Sequence, residues 1–489
     1  YRNYGYRYPA YNDYYGYDLT VVESSNANLL YAWTRGRCID SSCNIYTYEV
    51  EYALVDHSGS LVRGVTKLTD HSGATLSTYD FNLAAVVAPN NRIGMLWVQE
   101  LYDSATGQWN DNVFFAVLSP TGDLLHGPIN LTNNTQWSGS YNVPYFYDLH
   151  ITATGDNRFF IAWAQQHQET GGWVNDVWYT VWSTDGVSVR SNTKFTNDTP
   201  GWEDYNESPS LTAVPGNRVM LALERQSDIY FAVLNSGGSI VRGLEMLTND
   251  GLNWGDSDSV RTSNGNIVVA WTADLPQNPG EQPWTARYYN NETLSGNPVL
   301  VRSDSSIDFY WQLGSPHPLV NVDNFSVRWE GTVTLSAGKY EFRVGSDDGC
   351  RVWIDGQLVL DHWNEWCDHW SKTINLSAGA HQVRMEMHEH DGGAWAYLRW
   401  RADTGASVRY VVLNPSFQRI AGPVTLRNEA DLLGDYAVSV TADADGDAVL
   451  TWTESSLYRN LYYALVDGAN GNVLTAPMIY RTSNDSESY

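Results

Sequence analysis

Basic residues are scarce in this chain. Only 29 Lys and Arg stand against 56 Asp and Glu in 489 residues, a formal charge of −27. A field of that sign repels phosphate backbones and anionic lipid, which argues against nucleic acid and membrane surfaces as partners. Long apolar runs are also missing, and no stretch reaches the ~18 residues that a membrane-spanning helix needs. With 17% charged and 43% hydrophobic residues, the composition excludes a disordered chain. No GxSxG, HExxH or phosphate-loop motif occurs. Cysteine is limited to four. Cys38 and Cys43 lie five apart, Cys350 and Cys367 flank a hairpin pattern, and local pairing of each couple is expected. Free thiols in a reducing compartment are the alternative. Zinc is disfavoured because no CxxC or HxxxH spacing accompanies them.

What the chain does have is aromatic side chains: 21 Trp, 32 Tyr and 12 Phe, or 13%. These suit β-structure and sugar-stacking surfaces alike. The acidic excess suits hard cations such as calcium, which take oxygen ligands. The chain opens at Tyr1 without a signal-like n-region and h-region, which we read as a processed secreted chain, extracellular or at the cell surface.

Internal repetition sets the expected architecture. A small-apolar-Trp strand recurs as YAWT (Trp33), LWVQ (Trp97), AWAQ (Trp163), AWTA (Trp271) and TWTE (Trp452), and as ALER at Leu223 without its Trp. Each is followed by an alternating aromatic strand (EYALVD, FFAVLS, WYTVWS, YFAVLN, RYVVLN, YYALVD), a turn that usually contains Gly, and a strand ending in LTD, LTNN, FTND or a variant. Another alternating run precedes each Trp strand. Four short strands per unit in six units predict a six-bladed β-propeller, in which radial stacking hides the sheet faces. The recurrent Trp residues are expected to be core between blades. The LTND ends are expected to be turn chemistry, with Asn and Asp bonding their own backbone.

The spacing from the Trp strand to the aromatic strand locates a second domain. It is 19 residues in the first unit (33 to 52) and 8 in the fourth (223 to 231), but 139 in the fifth (271 to 410). One hairpin loop therefore holds a whole domain, entered through LPQNPGEQP and left through RADTGAS. The expected layout is a Tyr-rich arm at 1–17, a propeller over 18–275 and 406–489, and an inserted domain at 284–401. The blades fall at about 18–74, 75–140, 141–200, 201–251, 252–275 with 406–430, and 431–489.

The inserted segment carries ARYYNN, FYWQLGSPHPLVNVDNFSVRWEGTVTL, AGKYEFRVGSDDGCRVWIDGQLVLDHW and HEHDGGAWAYLRW in order. On these motifs it resembles the PA14 family, a β-sandwich module of many secreted glycosidases, adhesins and toxins. The expected fold class is thus all-β, a six-bladed β-propeller with a PA14-type β-sandwich inserted in the fifth blade.

Within SDDG, adjacent carboxylates stay ionised together only with a counter-cation, which suits calcium. In the PA14 lectins of yeast adhesins the matching Asp pair is joined by a cis peptide and holds a calcium that touches sugar hydroxyls. The resemblance therefore implies Asp347 and Asp348 as calcium ligands. Those lectins add an Asn from a second loop, whereas the loop here, HEHDGG, offers Glu389, His390 and Asp391. Trp363 and Asp391 are further ligand-binding candidates, and a strand-joining turn without a ligand is the plainer reading of SDDG. Trp353, Trp363, Trp366 and Trp370 crowd the same hairpin, with at least two expected in the core. His362, His369, His388 and His390 match no standard metal spacing.

The function expected is non-enzymatic surface adhesion through glycan or cell-surface polysaccharide, with calcium as cofactor. An alternative is a self-assembling homo-oligomer or filament with the arm at subunit contacts, since residues 1–18 hold eight Tyr. A further alternative is a glycoside hydrolase with an accessory PA14, although the sialidase repeat S-x-D-x-G-x-x-W is absent.

Overall fold

A computed structural model describes residues 16–23, 28–39, 45–137, 144–169, 172–197, 206–225, 228–248, 253–273, 283–312, 314–364, 367–402, 407–427, 435–454 and 461–481. The expected arm at 1–17 lies almost wholly outside them. Every regular element is a β-strand, and no helix among the described residues is long and apolar enough to cross a membrane. The chain is all-β.

The strands come in antiparallel sets of four. The first is β1 (Gly16–Glu23), β2 (Leu29–Cys38), β3 (Tyr46–Val55) and β4 (Leu61–Lys67). The second is β5 (Ser77–Val87), β6 (Ile93–Asp103), β7 (Gln108–Leu118) and β8 (Leu124–Asn130), joined to the first by the parallel pairs Thr47–Thr78 and Tyr48–Tyr79. The third is β9 (Tyr145–Ala153), β10 (Arg158–Glu169), β11 (Gly172–Ser183) and β12 (Ser188–Lys194). The fourth is β13 (Asn206–Val214), β14 (Arg218–Arg225), β15 (Asp228–Leu234) and β16 (Ile240–Met246).

The fifth set starts with β17 (Asn253–Arg261) and β18 (Ile267–Ala273) and is then interrupted. Ten strands intervene: β19 (Trp284–Tyr289), β20 (Leu300–Asp304), β21 (Asp308–Gln312), β22 (Phe325–Leu335), β23 (Gly338–Ser346), β24 (Gly349–Ile354), β25 (Gln357–His362), β26 (Cys367–Leu376), β27 (Gly379–Glu389) and β28 (Ala394–Ala402). The set resumes with β29 (Ser407–Leu413) and β30 (Arg419–Arg427), and Ala273 pairs directly with Ser407. The sixth set is β31 (Asp435–Ala442), β32 (Ala448–Glu454), β33 (Leu461–Val466) and β34 (Val473–Arg481).

The six sets and the ten inserted strands form two separate compact units. In the first, apolar clusters bridge consecutive sheets. The cluster between the first two contains Leu30, Tyr52 and Trp97, and the one between the last two contains Tyr410, Leu450 and Trp452. Trp97, Trp163, Trp271, Trp452 and Leu223 are fully buried, as one large apolar residue per sheet requires. Trp33 differs and is only half-buried.

A tyrosine hydroxyl ties three of the seams. Tyr52, Tyr179 and Tyr410 donate to the carbonyls of Gly122, Gly238 and Gly471 in the next sheet, at 2.6, 2.7 and 2.8 Å. A buried phenol needs such a partner.

The LTND ends show the expected turn chemistry, with Asp70 and Asn134 accepting the amides of Ser72 and Gln136, and a second element beside it. Asn130 accepts the Thr132 and Asn133 amides, and the repeated second element is the threonine. Thr69, Thr132, Thr196 and Thr248 accept the amides of Val50, Val113, Val177 and Ile229 at 2.8 to 3.0 Å. Each also donates its hydroxyl to a carboxylate or amide oxygen, of Asp80, Asn112, Asp176 and Asp228 respectively. The motif latches the segment after the fourth strand to the third strand, and in the first set Thr69 also reaches β5 of the next.

In the inserted unit, β20-β19-β22-β27-β24-β25 face β21-β28-β23-β26 across a core that includes Trp284, Trp329, Phe342, Met385 and Trp400. Cys350 and Cys367 are disulfide-bonded within it. Cys38 is also disulfide-bonded, and its expected partner Cys43 lies outside the described residues.

Candidate functional site

Strands β23 and β24 are joined by Asp347 and Asp348 alone. The peptide between them is cis. Three strands satisfy the backbone of this junction: the Asp347 amide donates to the Trp395 carbonyl (3.1 Å), and the Asp348 amide to the His388 carbonyl (2.9 Å). The Asp348 carbonyl accepts the Cys367 amide (2.6 Å). The glycine that completes SDDG is a packing requirement, because a Cβ on Gly349 would lie 2.3 Å from the Trp363 carbonyl oxygen and 2.5 Å from His388 Nε2. Those two atoms are hydrogen-bonded to each other at 2.8 Å.

A third carboxylate completes the group. Along β27 the residues His381, Val383, Met385 and Met387 turn inward at period two, and Glu389 continues that row at the end of the strand. It is 0% exposed, and neither of its carboxylate oxygens has a hydrogen-bond partner. One ligand oxygen each from Asp347, Asp348 and Glu389 lie within 4.8 Å of one another. Burial pushes the Glu389 carboxyl up to about 8, reinforced by the charges of Asp348, Asp347, Asp323 and Asp391. A buried carboxylate beside two others is costly unless a cation compensates it. Three carboxylates and no nitrogen or sulfur donor form a hard-oxygen set, which fits calcium and leaves further positions for water or hydroxyl oxygens.

The other sequence candidates fall at the rim. Asp391 is exposed and contributes charge without joining the three. His390 turns away to ion-pair with Glu292 (2.8 Å), while its amide donates to Asp348 Oδ2 (2.6 Å). Glu292 raises the His390 pKa by hydrogen bond and charge.

Trp363 is half-buried next to the site. Its indole lies 4.1 Å from the Arg351 guanidinium and 4.7 Å from the His388 ring. Two of the four hairpin tryptophans were expected in the core. Trp353 and Trp363 are instead half-buried and Trp370 is exposed, while Trp366 is outside the described residues. The reason is the outer sheet face. Arg351 and Arg384 share the buried Glu386 and cover Trp353 with their guanidinium groups, so these indoles pack on cations rather than on apolar core. His362 stacks on Trp370 at 3.9 Å, a ring contact that accounts for it without a metal.

The two facing sheets and the acidic junction define a β-sandwich module with a candidate cation site at one end. Its family follows from comparison with known proteins: residues 281–411 are a PA14 domain. The chain is 32% identical over 152 residues to the anti-sigma-I factor RsgI3 of Acetivibrio thermocellus, covering 30% of this chain and 23% of that protein. It is 27% identical over 171 residues to an alpha-agarase of Alteromonas agarilytica, covering 30% of this chain and 11% of that one. The matches span less than a quarter of either curated relative. Among solved structures, the PA14 sugar-binding domain of an RTX adhesin is similar at 20% identity and a TM-score of 0.23, covering 28% of this chain and 98% of that domain.

Proposed function

We propose that this is an extracellular or cell-surface carbohydrate-binding protein whose PA14 domain holds a calcium ion at Asp347, Asp348 and Glu389 and presents it to sugar hydroxyls. The observation that carries the reading is Glu389, a fully buried carboxylate with no hydrogen-bond partner, set against two aspartates. Calcium offsets two of the three negative charges, and its remaining coordination positions suit vicinal hydroxyls. Trp363, fixed by Arg351 and His388, forms a wall beside the ion.

The first unit is read as the six-bladed propeller that carries the module, non-enzymatic and acting in adhesion. Asp258 supports the ring. It accepts the Val440 amide (3.0 Å) and Ser439 hydroxyl (3.3 Å) from β31 and the Ser210 hydroxyl (3.4 Å) from β13, and it lies 3.5 Å from His150 Nε2 of β9. The first strands of four sheets thus meet on one carboxylate, as strands lining a common axis do.

The test is calcium titration of the full chain by calorimetry, followed by binding to an array of immobilised plant, algal and microbial polysaccharides with calcium or EDTA. Saturable calcium uptake and EDTA-sensitive glycan binding are expected. A chain that takes up no calcium, or whose glycan binding ignores EDTA, overturns the reading.

A further inference from the structure

Strand β28 leaves the cation site carrying two kinds of side chain. Ala394, Ala396, Leu398 and Trp400 face the core and are buried. Trp395, Tyr397 and Arg399 alternate with them on the outer face and stay half-buried. Across the ladder, Tyr397 is paired with Gly345 of β23. A Cβ at Gly345 would lie 2.7 Å from ring atoms of both Trp395 and Tyr397. The two rings therefore lie down over the glycine, with centroids 5.9 Å apart and planes within 14° of each other. Strand β21 widens the surface: Tyr310 is paired with Trp395 and is 66% exposed, too open to serve the core. A polar edge borders the far end, where Arg399 lies 5.0 Å from the Tyr397 ring and 3.3 Å from Asp308.

We infer that Trp395, Tyr397 and Tyr310 form a stacking platform for successive rings of a glycan chain whose end is held at the cation site. The inference rests on the calcium-dependent reading and names its ligand class, an extended oligosaccharide rather than a single sugar. Three features point to sugar. A pyranose has an apolar C–H face that lies flat on an aromatic ring and a hydroxyl rim that needs polar neighbours. Near-parallel rings with Arg399 and Asp308 at their edge supply both. Continuity is the second: the Trp395 carbonyl accepts the Asp347 amide, so the first ring is fixed by its own backbone to a candidate calcium ligand. Third, a strand glycine marks close approach of another group, and here its absent side chain makes room for both rings. Binding energy along such a surface accumulates with chain length.

The experiment uses the full chain in calcium with hexa- and disaccharides of cellulose, agarose, xylan and galactan, read by calorimetry. The wild type is expected to bind one hexasaccharide about tenfold or more tighter than its disaccharide, with EDTA abolishing both. Trp395→Ala with Tyr397→Ala should remove that length advantage while leaving calcium uptake unchanged, and Tyr397→Phe should retain it. Tyr310→Ala, at an exposed position that folding does not need, should reduce the advantage alone. A length advantage that survives the Tyr310→Ala and double variants overturns the platform but leaves the cation site standing. Absence of any EDTA-sensitive saccharide binding in the wild type overturns both. A change in oligomeric state in place of affinity assigns the surface to protein contact and overturns the inference.

Discussion

A carboxylate oxygen of Glu389 lies within 4.8 Å of one of Asp348, and no donor reaches either oxygen of the glutamate. Stability and calcium affinity should therefore respond in opposite directions to its neutralisation. Glu389→Gln keeps the shape and removes the charge, so the metal-free protein should melt at the same temperature or higher. Calcium should then add little, with affinity down about tenfold or more. Asp348→Asn should weaken calcium similarly, and also alter the bond to the His390 amide. Melting curves with calcium and with EDTA decide the matter. A Glu389→Gln protein that calcium stabilises as well as the wild type would remove the glutamate from the ligand set.

Gly349 offers a steric test of the same site. Its Cβ position is filled by the Trp363 carbonyl and His388 Nε2, so Gly349→Ala must part the bonded pair and displace the Trp363 segment. We expect about 1–3 kcal/mol of destabilisation confined to the PA14 unit, together with weaker sugar binding. Hydrogen exchange should show lost protection in β24 to β27 and unchanged protection in the six sheets of the first unit. Wild-type sugar binding in this variant would show that the Trp363 wall is not needed.

These relationships were unequally legible in the sequence. The repeat of Trp and aromatic strands announces six sets of four strands because strand pairing and burial of one sheet face both follow period-two patterns. The 139-residue gap to Tyr410 announced the insertion for the same reason. Asp347 and Asp348 were visible as an adjacent acidic pair. Glu389 was visible only as one of several acids in a loop, yet it is the residue that brings a third carboxylate to the Asp347–Asp348 turn. Its signal was the inward row Val383, Met385, Met387, Glu389, an acid where alternation calls for an apolar side chain. The expectation that at least two of the four hairpin tryptophans are core fails because a tryptophan buried on apolar core and one covered by arginine look alike until the facing residues are known. The threonine latch was hidden by its neighbours, since Asn and Asp dominate the turn statistics of LTND.

That latch predicts a large effect from one atom. Thr248 accepts the Ile229 amide and donates to Asp228, all in a buried setting. Thr248→Val fills the same volume, leaves the Ile229 amide without its acceptor and removes one donor from Asp228, at a cost of about 1–3 kcal/mol. Thr248→Ser, which restores the hydroxyl, should recover most of it. Urea denaturation followed through the first unit's tryptophans gives the comparison, and equal stability of the Val and Ser variants would deny the latch its role.

The turn between β24 and β25 carries a titrating pair remote from the cation site. His381 Nδ1 lies 2.7 Å from Asp355 Oδ2, and the Gln382 amide donates to the same carboxylate at 2.9 Å. The hydrogen bond to Asp355 raises the His381 pKa, helped by the Ser377 carbonyl. The bond from His381, then the Gln382 amide, lowers that of Asp355. A raised histidine contributes fully below its unfolded value, about 6.5, and that contribution is lost as pH climbs through the folded pKa. A lowered aspartate contributes above its unfolded value, about 3.9, and that share is lost as pH falls through its folded pKa. The pair therefore stabilises the PA14 unit most between about pH 4 and 6.5. Because Asp355 is half-exposed, the effect is modest, and His381→Asn should lower the melting temperature by about 2–4 °C at pH 5 and by less at pH 9. A deficit that stays constant across that range would mean that the imidazole acts by packing and hydrogen bonding alone, with its charge contributing nothing.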